Sequence, residues 1–420
     1  MIPAGTRKLG LGLAGRAATP AAAGDRDVLR AFFWLGLFFL VAAAIGYGLT
    51  LHDGIAIPRD GTTLVVGRDF LNFWMYGRAA ALPDPGHWYD VTSYQNALTA
   101  LLGSGYPGQN WSYPPSVMLI AAPFGPMPYL AALATWTLIG FAIFAGVLHR
   151  AGFEPMALVA LLVSPAAVFC VISGQSSLVT AAMLIVILMQ FDRRPILAGV
   201  LIGCLTLKPQ LGILFPVLLI ATGRWRVFAA ATVTALAIAG VTAAAFGTQV
   251  WIDFIERGLP TQSIVLRDPE GIATPFYPTV YMNMRGIGLA YPLAMAIQGL
   301  VSLAAAVLVW RIFRAHRNAD PRVLAALFLA CSVAATPYLL SYDTLALTVA
   351  AVALLRAGLL DNMGRLLVRL LYWLPLLQIG LGQIHVPGPG LVAPAFALYL
   401  AARLERRGRF EQDSPASQPV

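Results

Sequence analysis

Charge is scarce in this sequence. Only 11% of its 420 residues are Asp, Glu, Lys or Arg, against roughly a quarter in an ordinary soluble domain, while 59% are hydrophobic. A water-soluble chain of this length could not hide so much apolar surface, so the shortage excludes the soluble enzyme folds. Cysteine is nearly missing as well. Cys170, Cys204 and Cys331 each sit inside an apolar run, with no metal-ligand spacing and no evident disulfide framework. Neither a metal nor a cofactor is expected. Lysine occurs only at positions 8 and 208 in a chain that otherwise uses arginine. No internal repeat is visible, which counts against the repeat-built transporters.

What the sequence has is apolar runs of membrane length. Residues 31–51 and 128–148 each cover about twenty residues with no formal charge. A β-barrel would need short strands of alternating polarity, and these segments are apolar on every face. The fold class is therefore all-α, a polytopic transmembrane helical bundle. It has about twelve spans, at 31–51, 129–148, 155–173, 177–191, 195–207, 211–222, 227–246, 289–313, 323–337, 342–355, 366–380 and 390–404.

The net charge of +9 falls in short clusters between these runs. They are Arg7, Lys8 and Arg16; Arg193 and Arg194; Arg224 and Arg226; Arg311, Arg314, Arg317 and Arg322; Arg365 and Arg369; Arg403, Arg406, Arg407 and Arg409. Such alternation marks cytoplasmic loops and not a nucleic-acid face, so the partner is the lipid bilayer. The basic segment 1–30 stays inside, without a convincing cleavage site after the first span. The spanning domain covers 31–404, and the polar tail 405–420 reads as cytoplasmic and disordered. By parity, the two long polar stretches, 52–113 and 247–288, lie on the periplasmic side of a bacterial inner membrane. In the first, two amphipathic helices near 69–82 and 91–102 are expected to rest on the membrane surface.

Ionisable groups near a membrane are costly, and those present here are candidates for function. Asp69 lies between Gly67-Arg68 and the aromatic run Phe70-Leu71-Asn72-Phe73-Trp74. It reads either as a residue pointing into a cleft or as a helix N-cap. Lys208 stands at a helix break before Pro209 and Gln210, either as an anion contact or as a cation snorkelling to the interface. Arg285, in Tyr281-Met282-Asn283-Met284-Arg285-Gly286, is a second rim cation. Trp111-Ser112-Tyr113-Pro114-Pro115 puts aromatics beside a rigid turn, as a cleft wall or as part of an interfacial belt.

A set of landmarks runs along the chain in order: Gly67-Arg68-Asp69-Phe70 with Trp74 and Tyr76, then Trp88-Tyr89-Asp90, then Tyr113-Pro114-Pro115. Gly174-Gln175 follows, then Gly199 through Leu207-Lys208-Pro209-Gln210, then Thr336-Pro337-Tyr338 with Tyr342-Asp343. In this order, the landmarks resemble family 87 glycosyltransferases of the C-type membrane fold, whose best-understood members are polyprenyl-phosphate-mannose-dependent mannosyltransferases. The resemblance implies transfer of one hexose, mannose favoured, from a polyprenyl monophosphate to a periplasmic glycan or glycolipid acceptor. Asp69 would be the general base. Lys208 and Arg285 would meet the donor phosphate, with Arg68, Asn72, Trp74, Trp111, Tyr113, Gln175, Gln210, Tyr342 and Asp343 lining the cleft. Some mannosyltransferase relatives carry a histidine near the segment that here reads Leu339-Leu340-Ser341-Tyr342-Asp343, and this chain has none there.

A glycosyl phosphate already carries a good leaving group, so the reaction needs mainly a base and a charge stabiliser. One displacement inverts the anomeric centre, whereas retention requires a second carboxylate at about 5 Å. Asp90 is the nearest in sequence, and a structural hydrogen bond in its own turn suits it better. Two other functions compete: a lipid or glycolipid transporter, and a non-catalytic assembly subunit that kept the fold.

Overall fold

The computed structural model describes residues 23–111, 113–267 and 274–412. Residues 1–22 with Arg7, Lys8 and Arg16, residues 268–273 of the second polar stretch, and 413–420 of the tail lie outside them. The chain begins with α1 (Ala23–Thr50), followed by a cap built on α2 (Phe70–Ala79), α3 (Val91–Leu102) and α4 (Val117–Ala121). Then come α5 (Tyr129–Arg150), α6 (Pro155–Leu162), α7 (Pro165–Ile172), α8 (Ser177–Gln190), α9 (Pro195–Cys204), α10 (Phe215–Thr222) and α11 (Trp225–Phe246). The second polar stretch holds α12 (Gln249–Asp253), α13 (Leu259–Arg267) and α14 (Val280–Gly286). The chain returns through α15 (Tyr291–Ala315), α16 (Pro321–Ala335), α17 (Leu345–Arg356), α18 (Asn362–Tyr372), α19 (Leu374–Gln383) and α20 (Val392–Gln412).

By length and composition, α1, α5, α11 and α15 can each cross a membrane alone. The pairs α6–α7 and α18–α19, bent by 46° and 70°, bring the number to six, and the remaining apolar helices are shorter. Proline explains several of these starts: Pro155, Pro165, Pro195 and Pro321 sit in the first turn of their helices, where the missing N–H costs nothing. Helix also reaches further at both ends than the sequence suggests. It begins at Ala23, inside the basic segment, and runs to Gln412, into the tail read as disordered.

Small apolar residues set the centre of the bundle. Every residue of α17 from Leu345 to Leu355 is buried, as is α16 from Leu324 to Ala335. Gly199 and Gly203 face α11 so closely that a Cβ on either would run into its backbone or Thr234, so glycine permits this contact. The cap has a separate, aromatic core in which Tyr76 stacks on Trp111 with ring centroids 3.6 Å apart. Here α2 departs from the expectation of a surface helix. Leu71, Trp74, Met75 and Tyr76 are buried, and Gly77 packs against the backbone of Ala121 and Gly125. The reason is that Phe70, Leu71, Phe73, Trp74, Met75 and Tyr76 make the helix apolar nearly all round, and such a helix belongs inside.

The cap meets one end of the bundle, where the connections 173–176, 205–212 and 336–344 gather. Away from that end, arginines pair with acids between elements: Arg365 with Asp25 at 2.6 Å, Arg224 with Asp192 at 2.6 Å, and Arg356 with Glu154.

Candidate active site

Two glycines bring the first polar stretch onto the bundle. Gly67, at φ +78°, takes the left-handed region and turns the chain just before Asp69. Gly174, at φ +62°, lies so close that a Cβ there would meet Phe70 and the Gly67 carbonyl. The contact is fixed by the N–H groups of Asp69 and Phe70, which donate to the Ser173 carbonyl at 3.1 and 3.3 Å.

Asp69 occupies the N-cap position of α2, but its side chain makes no capping bond. Instead its Oδ2 accepts from Gln175 Nε2 at 3.0 Å and from the Tyr342 hydroxyl at 2.8 Å. Gln175 Nε2 also donates to the Tyr113 hydroxyl at 2.9 Å. The side chain is half-buried, and burial pushes its pKa above the ordinary carboxylate value. The hydrogen bonds from Gln175 and Tyr342, then the charges of Lys208 and Arg68, pull in the other direction without cancelling that rise. A carboxylate held this way is a better proton acceptor than one in water.

Lys208 lies between two short 3₁₀ turns, Leu205–Leu207 and Pro209–Gly212, at φ −135° and ψ 73°, outside the helical region that a following proline disfavours. Its ammonium points inward. It is 5% exposed, donates to Asp343 Oδ1 at 2.9 Å, and stands 5.4 Å from the centre of the Tyr342 ring. Snorkelling to the interface is therefore not its role. The Ser177 hydroxyl donates to the same Asp343 oxygen at 2.5 Å. Tyr342 and Asp343, adjacent in the turn Ser341–Thr344, thus bind the carboxylate of Asp69 on one side and the ammonium of Lys208 on the other.

Asp69, Tyr113, Gln175, Lys208, Tyr342 and Asp343 therefore converge from five separate segments. The other candidates have other partners. Arg68 Nε donates to the buried Asp60 at 2.7 Å, and Asn72 joins the Asn110 carbonyl at 3.0 Å to the Tyr94 hydroxyl at 2.5 Å. Trp74 Nε1 donates to the Met127 carbonyl at 3.0 Å, and Trp111 is stacked inside the cap. Gln210 lines a small cavity beside Asp343 and gives its backbone carbonyl to Thr336. Arg285 donates to the carbonyls of Leu289 at 2.6 Å and Arg267 at 3.1 Å. Asp90 accepts from the Ser93 N–H at 2.8 Å as the N-cap of α3. Ser177 is the residue of this cluster that sequence reasoning overlooks, and its only signal is its place two residues after Gln175. Among the described residues, no group of three or more His, Cys, Asp or Glu could hold a metal.

The sequence model of glycosyltransferase family 87 matches residues 111–341, more than half of the chain. The matched region includes Tyr113, Gln175 and Lys208 and ends at Ser341, one residue before Tyr342. No curated protein and no solved structure matches the chain. The chain belongs to glycosyltransferase family 87, and its apolar helices make it a membrane protein.

Proposed function

We propose that this family 87 member is an inverting glycosyltransferase. It moves one hexose, mannose favoured, from a polyprenyl monophosphate to a glycan or glycolipid acceptor at the periplasmic face of a bacterial inner membrane. The observation that carries the reading is the joint placement of Asp69 and Lys208 by the adjacent residues Tyr342 and Asp343.

In this mechanism an acceptor hydroxyl attacks the anomeric carbon, its proton passes to Asp69, and the bond from that carbon to the phosphate oxygen breaks. The electron pair leaves with the lipid monophosphate. Lys208 draws closer to that oxygen as its charge grows, a contribution of order a few kcal/mol when the site is dry. Asp343 holds the ammonium in the meantime, so the cation does not sit uncompensated in a low-dielectric interior. Of the other carboxylates, Asp90 is engaged as a helix cap and Asp343 is held by Lys208 and Ser177, and this favours single displacement.

Support for twelve crossings comes from the connections. From α5 to α11 the connections that build the site alternate along the chain with those that hold Glu154, Asp192 and Arg224, members of the arginine–acid pairs. A reporter after Ala319 should then read cytoplasmic and one at Gly271, outside the described residues, periplasmic. A transporter would need ionisable residues near the membrane midplane, whereas the polar cluster here gathers at one end under the cap. To test the reading, purified protein is incubated with defined polyprenyl-phosphate hexoses and an acceptor-rich membrane extract. Release of polyprenyl monophosphate, seen by mass spectrometry and dependent on acceptor, is the expected result. No release from any donor would reject the transferase reading.

A further inference from the structure

Both hydrogen bonds to the Asp69 side chain end on one oxygen. Gln175 and Tyr342 reach Oδ2, while Oδ1 accepts from none of the described residues and is not sealed from solvent. The two donors come from distant segments and are themselves immobilised. Tyr342 is 4% exposed, lies on a 3₁₀ turn and has Lys208 beside its ring. Gln175 is 9% exposed and sits in the turn between α7 and α8, where its carbonyl accepts from the Cys170 thiol.

We infer that Tyr342 and Gln175 are positioning residues that pin Oδ2 of Asp69, so that Oδ1 is the atom that takes the acceptor's proton. The inference rests on the base role proposed above and recasts both residues. They act on the base and not on the sugar. A carboxylate free to rotate would offer either oxygen in any direction, and most orientations would miss the incoming hydroxyl. Fixing one oxygen with two donors leaves one lone-pair face in a set direction. The same two donors stabilise the charged form of Asp69, so that more of it is ionised at a given pH.

Other groups face Asp69 as well. Lys208 and Arg68 are the cations that act on it. Tyr106 and Tyr113 approach from the cap, Tyr129 from the start of α5, and Tyr277 and Tyr338 from the loops before α14 and α17, and phenols carry no charge at neutral pH. Asp343 is occupied by Lys208 and Ser177. Removing a donor hydrogen bond from Asp69 therefore leaves the charges around it in place, and the effect on its titration has a single sign. Tyr342→Phe deletes only a hydroxyl, whereas Gln175→Leu deletes the whole amide at similar volume, and with it the bonds to the Tyr113 hydroxyl and from the Ser176 N–H.

The test uses the full chain in lipid nanodiscs and two readouts. The first is infrared titration of the Asp69 carboxyl, identified as the protonated-acid band lost in Asp69→Asn. Its midpoint should rise by about one pH unit in Tyr342→Phe and in Gln175→Leu. The second is kcat/KM against pH with polyprenyl-phosphate mannose as donor. Its acid limb should move up by the same amount, with donor KM within about twofold of wild type. An unmoved midpoint and limb in both variants, or a rise in donor KM without any pH shift, would overturn the positioning role. Failure of the base reading itself shows differently: Asp69→Asn would keep its turnover whatever the infrared midpoints do.

Discussion

Two cations end up in opposite circumstances, although both stand at polar breaks between apolar runs. The turn at 205–212 carries Lys208 inward to Asp343, beside the ring that touches Asp69. In the second polar stretch, α14 carries Arg285 to the carbonyls of Leu289 and Arg267, at the ends of two backbone segments. The first is compensated by another side chain's charge, a partner that the proposed mechanism has it exchange for a phosphate. The second is spent on carbonyl groups that would otherwise lack donors, a helix-terminus role for which arginine is well suited. Proximity to a rim does not fix what a cation meets; the packing behind it does.

Of these two cations, the lysine should have the larger effect. Lys208→Ala is expected to lower transfer by about 10²–10³-fold, the cost of losing a preorganised charge at a leaving group. It also strands the buried Asp343 carboxylate, at a cost of about 3 kcal/mol in stability. Adding Asp343→Asn removes the stranded charge, so the double variant should regain most of the lost Tm in a thermal melt and none of the transfer. Recovery of transfer in the double variant would make the pair purely structural. By contrast, Arg285→Leu should lose about 1–3 kcal/mol of stability through its unmet carbonyls, while transfer per folded molecule changes less than threefold. A donor KM raised tenfold in Arg285→Leu would erase the distinction between the two cations. Smaller still is Asp90→Ala, which should lower Tm slightly through loss of the α3 cap and leave transfer unchanged in the same assay.

The sequence made the class of this molecule plain, because apolar runs and arginine clusters report directly on a membrane. It also held the site's landmarks in order: Asp69, Tyr113, Gln175, Lys208 and Tyr342-Asp343 are all elements of the resemblance to family 87. The partition between site and scaffold was not legible. Arg68, Asn72, Trp74 and Trp111 share the same local motifs as the converging residues, yet they fasten the cap to itself. Which way a side chain points from an aromatic-rich segment depends on what that segment packs against, and the packing joins residues hundreds of positions apart. Asp69 shows the limit most clearly. Its position is that of a cap, and only the presence of Gln175 and Tyr342 beside it draws the carboxylate away from the helix end. Helix length was equally hidden, since the breaks within the α6–α7 and α18–α19 pairs follow from Pro165 and Pro375 in a bundle context and shorten what reads as a continuous run.

The stability of Asp69 variants has a definite sign. Its pKa in the folded protein lies above the ordinary carboxylate value, so the unfolded chain loses this proton first as pH rises. Above the folded pKa the ionised group costs stability, and below the unfolded value the cost is absent. Asp69→Asn should therefore melt at the same temperature as wild type or higher at neutral pH, with the difference vanishing as pH falls through the carboxylate range. The most direct measurement joins that melt to turnover: polyprenyl monophosphate released by wild type and by Asp69→Asn from the same donor at neutral pH. A catalytic base predicts a loss of about 10²–10⁴-fold in a protein at least as stable as wild type. Turnover near the wild-type rate in a folded Asp69→Asn protein would contradict it.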